Sequence, residues 1–149
     1  MKKLSFRNFS LLFLLFLSSC GSSDNQFELI GNADVSDGTM IYVLQADQNN
    51  QPYIKDSTSV ESNSFKFKGV SSTPQISYIQ VEGVNGYVLA ILENGDIKAD
   101  IFKDSISKSR VYGTKSNDDF IKYKSETKSL VDVMNNISSD AQNAIMNGD

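Results

Sequence analysis

This chain has one cysteine, Cys20, and neither histidine nor tryptophan. A lone thiol rules out an internal disulfide, a Cys-x-x-Cys redox pair and a thiolate metal cluster. Asp47-Gln48-Asn49-Asn50-Gln51-Pro52 has the carboxylate and amides of a calcium loop. Pro52 stands where such a loop requires glycine, and Thr58 where it requires the bidentate glutamate, so the stretch reads as a solvated turn. Ser105–Lys108 and Ser125–Lys128 match a serine acyl-enzyme spacing, but 22 serines and 12 lysines produce such matches by chance. The companion Ser-Asp-Asn and Lys-Thr-Gly motifs are absent from the sequence. Glu28, Glu61, Glu82 and Glu93 fall on separate segments, and no spacing singles out an acid–base pair. Gly83-Val84-Asn85-Gly86 lacks the lysine of a phosphate loop. Most of the six tyrosines alternate with apolar residues, which favours core packing over a ligand-stacking platform. No catalytic, cofactor-binding or metal-ligating residue is therefore assigned.

Cys20 is the exception, because of what precedes it. Met1-Lys2-Lys3 and Arg7 lead into the apolar run Leu11–Leu17, and Ser18-Ser19 follow. A positive start, a short apolar core and a small-residue exit make a secretory signal peptide. The run is too short to cross a bilayer, which takes ~20 apolar residues. Leu17-Ser18-Ser19-Cys20 resembles the lipobox of bacterial lipoproteins, with Ser19 where Gly or Ala is usual. The resemblance implies cleavage before Cys20, a diacylglyceryl thioether on its sulfur and acylation of the new amine. Stable anchoring takes two acyl signals, and three exceed that requirement. The expected organisation is a leader over 1–19, a flexible tether over 20–26, a β-domain over 27–114 and a helical segment over 115–149.

Removing residues 1–19 takes away Lys2, Lys3 and Arg7 and no acid, so 11 basic residues face 18 acidic ones and the formal charge is −7. An acidic body lacks the Lys/Arg face that nucleic acid requires. It also has no electrostatic affinity for anionic lipid, which leaves the acyl chains as the membrane contact. Gly21-Ser22-Ser23-Asp24-Asn25-Gln26 is small and polar, in keeping with a tether.

From Phe27 onward, short β-prone runs alternate with turn residues. They are Phe27–Ile30, Met40–Leu44, Tyr53–Val60, Phe65–Lys68, Ile76–Val81, Tyr87–Leu92, Ile97–Phe102 and Arg110–Tyr112. Phe65-Lys66-Phe67-Lys68 alternates strictly, placing both rings on one face and both lysines on the other. Asn94-Gly95 supplies the two positive-φ residues of a type I′ turn, so Tyr87–Leu92 and Ile97–Phe102 read as a hairpin. Tyr87–Leu92 is apolar on both faces and reads as a central strand. The pattern predicts a mainly β fold, an antiparallel β-sandwich or open barrel of about seven or eight strands. A C-terminal amphipathic α-helix follows. Ser116 and Asp119 look like a capping box, and Phe120, Tyr123, Thr127, Leu130, Met134, Ile137, Ala141 and Ala144 form one stripe at steps of three and four. Packing of that stripe on the chain's own β-domain is favoured over a coiled coil, because Thr127, Ala141 and Asn135–Ser139 make a poor zipper.

Asp56-Ser57-Thr58, Phe65–Gly69, Pro74, Leu92–Gly95, Val111–Thr114, Asn117-Asp118 and Tyr123 stand in a familiar order. Over residues 27–130 the chain resembles the N-terminal β-domain of lipid-anchored, thioredoxin-like (AhpC/TSA-type) thiol:disulfide oxidoreductases, a domain of unknown function. The resemblance implies a following helical segment and a thioredoxin domain with Cys-x-x-Cys. No such motif occurs in this sequence, so no catalytic residue is carried over. Asp56-Ser57-Thr58 and Asp104-Ser105-Ile106 also resemble bacterial O-glycosylation sites, at Ser57 and Ser105.

The expectation is a non-catalytic lipoprotein domain of the cell envelope, anchored at the outer membrane through Cys20, with its face left open. Its role would be binding or scaffolding of a protein or glycan partner. Two alternatives stand beside it: the front part of a longer thioredoxin-like oxidoreductase, and a glycan-binding lipoprotein with aromatic side chains on one sheet face.

Overall fold

The computed structural model describes residues 25–147. Cys20, the leader and residues 20–24 of the tether lie outside the described residues. Eight strands precede one long helix: β1 (Gln26–Ala33), β2 (Met40–Ala46), β3 (Pro52–Ser59), β4 (Ser64–Val70), β5 (Gln75–Val81), β6 (Val88–Leu92), β7 (Gly95–Ile101), β8 (Arg110–Tyr112) and α1 (Lys115–Asn147). They form two four-stranded sheets. Sheet I runs β4-β1-β7-β8 and sheet II runs β3-β2-β5-β6, a sandwich-like arrangement without barrel closure.

Period-two alternation builds the core. Phe27, Leu29 and Ala33 point inward from β1, as do Ile97, Ala99 and Ile101 from β7. Ile41 and Val43, Ile79 and Val81, and Val88, Ala90 and Leu92 face them from sheet II. Each fully buried Leu or Ile stabilises the fold by ~1.5–3 kcal/mol. Phe65 and Phe67 pack inward at ring centroids 6.0 Å apart, while Lys66 and Lys68 face out, as the alternation predicts. Two glycines accommodate aromatic rings across the β1–β4 pair. Gly31 lies opposite Phe65 and Gly69 opposite Phe27, and a Cβ on Gly31 would stand 2.1 Å from the Phe65 ring.

Pairing departs from the sequence pattern in two places. β6 and β7 are not a hairpin, and β6 is not the central strand its two apolar faces predicted: it is the edge of sheet II, while β7 is a central strand of sheet I. Of Asn94 and Gly95 only Gly95 has positive φ, at 119°, so the link is a corner between sheets and not a type I′ turn. Alternation cannot distinguish the two cases, since Leu92 and Ile97 are buried in either arrangement. The second departure is that β7 pairs with β1 in parallel, Leu29 opposite Ile97, within sheets otherwise antiparallel.

α1 also departs from expectation. Phe120 and Ile121 are half-buried, and every described side chain from Lys122 onward is exposed. The stripe therefore does not pack on the chain's own β-domain. The Ser116–Asp119 box is not formed either: Ser116 is held by Glu93, and Asp119 pairs with Lys115 at 2.6 Å.

Candidate functional site

Two outward sheet faces and the base of α1 hold the side chains from which a site could be built. The outer face of sheet I is polar. Glu28 sits between Lys66 and Lys68, and Asp100 is paired with Arg110, whose guanidinium also lies over the Tyr112 ring at 5.2 Å. The hydrogen-bonded Lys66 ammonium, followed by that of Lys68, holds the Glu28 carboxyl below the ordinary glutamate range. A shallow depression of about 370 Å³ lies over this face, lined by Glu28, Ile30, Asn32, Asp96, Lys98 and Tyr112. Of the carboxylates on this face, Glu28 and Asp100 are held in ion pairs.

The outer face of sheet II is different. In register across β3, β2, β5 and β6 run Ile54, Leu44, Tyr78 and Leu89, with Ile76 beside Ile91 in the next row. Ile76 is 61% exposed, Ile54 58%, Tyr87 58% and Tyr78 39%. Tyr78 and Tyr87 meet edge to face with centroids 6.3 Å apart. These side chains form one contiguous apolar surface on the outward side of the sheet. The sequence concealed it because the same alternation that buries Ile41, Val43 and Ile79 leaves Leu44, Tyr78 and Ile76 on the reverse side. The tyrosines correct the sequence reading: Tyr42 and Tyr112 are half-buried, and Tyr53, Tyr78, Tyr87 and Tyr123 are exposed.

Polar side chains close the open end of sheet II. Gln45 donates to Gln75 Oε1 at 3.1 Å and to Ser77 Oγ at 2.9 Å, and accepts from the Tyr53 hydroxyl at 3.2 Å. Lys55 donates to the same Gln75 oxygen. These groups satisfy one another.

At the base of α1, Asn117 is 1% exposed. Its Nδ2 donates to Ile91 O and to Thr114 Oγ1, both at 2.8 Å, and its Oδ1 accepts from Ile91 N at 2.9 Å. Glu93 accepts from the Ser116 amide and hydroxyl, each at 2.7 Å, and Asp118 accepts from Gly113 N at 2.9 Å. Burial pushes the Glu93 carboxyl up, but the Ser116 and Thr114 hydroxyls, the Ser116 amide and Lys115 together hold it below the ordinary range. Carboxylates are favoured at this end of a helix, where free N–H groups converge. The arrangement fastens α1 to β6.

The remaining sequence candidates are dispersed. Glu82 accepts from Met40 N, Glu61 lies in an exposed turn, and Asp47 Oδ1 accepts from Asn49 N and Gln51 N within its own loop. Ser57 is exposed on edge strand β3, whereas Ser105 is half-buried before the 3₁₀ turn Ile106–Lys108. Among the described residues no three acidic, histidine or cysteine side chains gather as metal ligands. Among them too, no helix is long and apolar enough to cross a membrane.

No match was found among curated proteins or solved structures. A family model does match residues 27–120, from the first strand through the fastened base of α1. The chain therefore belongs to the family described as Domain of unknown function (DUF4369).

Proposed function

We propose that this chain is a non-catalytic envelope lipoprotein domain, anchored through Cys20, that binds or scaffolds a protein partner with the outer face of sheet II. The observation that carries the binding role is the outward row Ile54–Leu44–Tyr78–Leu89 with exposed Ile76 beside it. Such a face is poorly hydrated and gains ~25 cal/mol for each Å² of apolar surface that a partner covers. The anchor rests on the leader and on the small residues before Cys20. Lipid attachment would set the domain at the outer membrane, where tethering raises the effective concentration of a neighbouring partner.

Radioactive palmitate should label the wild-type protein in its host and leave Cys20→Ala unlabelled; label retained by Cys20→Ala overturns the anchor. A photo-crosslinking amino acid at Ile76 should give a discrete adduct in host membranes, while one at Asn32 on sheet I gives none. No adduct at Ile76 overturns the binding face.

The exposed Tyr78–Tyr87 pair favours a second reading, a glycan stacked on these rings. Binding on a glycan array that Tyr87→Ala abolishes would replace the protein partner with a saccharide. The resemblance to thioredoxin-like oxidoreductases supports a third, in which this domain fronts a longer enzyme. An in-frame continuation encoding Cys-x-x-Cys in the host genome would establish it.

A further inference from the structure

Among the described residues two apolar surfaces are left uncovered. One is the outer face of sheet II. The other is the middle of α1, where Leu130, Val131, Val133, Met134 and Ile137 are all exposed, Leu130 at 66%. In heptad terms Leu130, Met134 and Ile137 occupy the seam, and Val131 and Val133 flank it on both sides. A narrow seam suits a second helix, whereas this wider band suits a flat partner such as a sheet.

We propose that two copies of this chain exchange helices, each α1 lying across the outer face of sheet II of the other copy. This assignment rests on the binding role given above to sheet II and names the occupant of that face.

The helix cannot reach its own sheet II as it stands. α1 is continuous over 33 residues, about 50 Å at 1.5 Å per residue, and its first turns are held by Asn117 on Ile91 and Glu93 on Ser116. Folding back would require a break in α1 or release of that clamp.

The area fits a dimer. Full burial of such a side chain removes ~60–120 Å², taking 1.5–3 kcal/mol at 25 cal/mol per Å². Five side chains on α1 and Ile54, Ile76, Tyr78 and Tyr87 on sheet II are between 39% and 66% exposed. Two copies then cover on the order of 1,000 Å² of apolar surface. With the ~60% apolar share of ordinary interfaces, the total comes to about 1,600 Å², the size of a stable, specific contact. Charge agrees: Glu82 borders the sheet face with no cationic partner among the described residues, and Lys124 flanks the helix band with no acidic one among them.

Because Cys20 is the chain's only cysteine, single introduced thiols report the contact in a full-length Cys20→Ser background. An Ile76→Cys chain mixed with a Leu130→Cys chain should form, under mild oxidation, roughly tenfold more disulfide-linked dimer than either chain alone. Leu130→Asp should weaken self-association at least ~tenfold by light scattering, with the unfolding of the β-domain unchanged. Dimer from Leu130→Cys alone would mean helix on helix and overturn the exchange. Internal closure of an Ile76→Cys/Leu130→Cys double variant at monomer mass would mean folding back, with the same consequence. A monomer at every concentration overturns it too. In host membranes, an Ile76 photo-adduct at twice the chain mass supports the exchange. An adduct of another mass leaves the binding face standing and removes the exchange alone.

Discussion

Asn117 hydrogen-bonds both backbone groups of Ile91, donating from Nδ2 at 2.8 Å and accepting at Oδ1 at 2.9 Å. A side-chain amide thus supplies the pairing that a further strand would give to the edge of β6, while its own backbone begins a helix. The same residue satisfies a sheet edge and fixes where α1 leaves the β-domain.

Asn117→Ala leaves both Ile91 groups and the Thr114 hydroxyl without that partner. We expect a loss of about 2–3 kcal/mol in urea unfolding of the full chain, from the desolvation cost of unmade bonds. Asn117→Asp should do no better, because a carboxylate has no proton to give Ile91 O.

Glu93 makes the same junction pH-dependent. Its folded value is lowered, so the stability it contributes is complete above the ordinary glutamate value of ~4.3 and is lost as pH falls through the lower folded value. Glu28 acts in the same sense through Lys66 and Lys68. Thermal unfolding followed down through the acid range should therefore show a shallower decline for Glu93→Gln than for wild type, with the Glu28 part of the slope retained.

Gly31 leaves the space that the Phe65 ring fills. Gly31→Ala should cost about 1–3 kcal/mol through overpacking. Combining it with Phe65→Leu should cost less than the two single changes added together, a coupling that a double-mutant cycle measures.

The corner between β6 and β7 can be checked against the hairpin it replaces. Gly95→Ala should destabilise by at least ~1–2 kcal/mol, since an L side chain is strained at its positive φ. Asn94→Ala should stay within ~0.5 kcal/mol, whereas a type I′ turn would make both positions sensitive.

The β-domain should unfold independently of the far part of α1. At concentrations low enough to keep the chain monomeric, Leu130→Ala should change its stability by no more than ~0.5 kcal/mol, because Leu130 touches no buried surface.

All eight strands stand close to where alternation and turn residues put them, and β8 begins and ends on the expected residues. The start of α1 was legible as well, although its capping was not: the groups that satisfy Ser116 and Asn117 come from Glu93 and Ile91, more than twenty residues away. The candidate site was the least legible part. Tyr78 and Tyr87 alternate with apolar neighbours, as core residues do, and they are exposed because none of the described residues forms a layer over sheet II.

The amino-acid order by itself determined the local facts, namely which residues extend, which coil, and which side of each strand is apolar, since these follow from steric preference and side-chain period within a few residues. It also fixed the charge and the single thiol. Tertiary structure alone decided that β6 and β7 part into different sheets, that β1 and β7 run parallel, and that α1 extends away from the β-domain. Those choices depend on which distant surfaces close one core at least cost in buried polar groups, a property of the whole chain that no local period encodes.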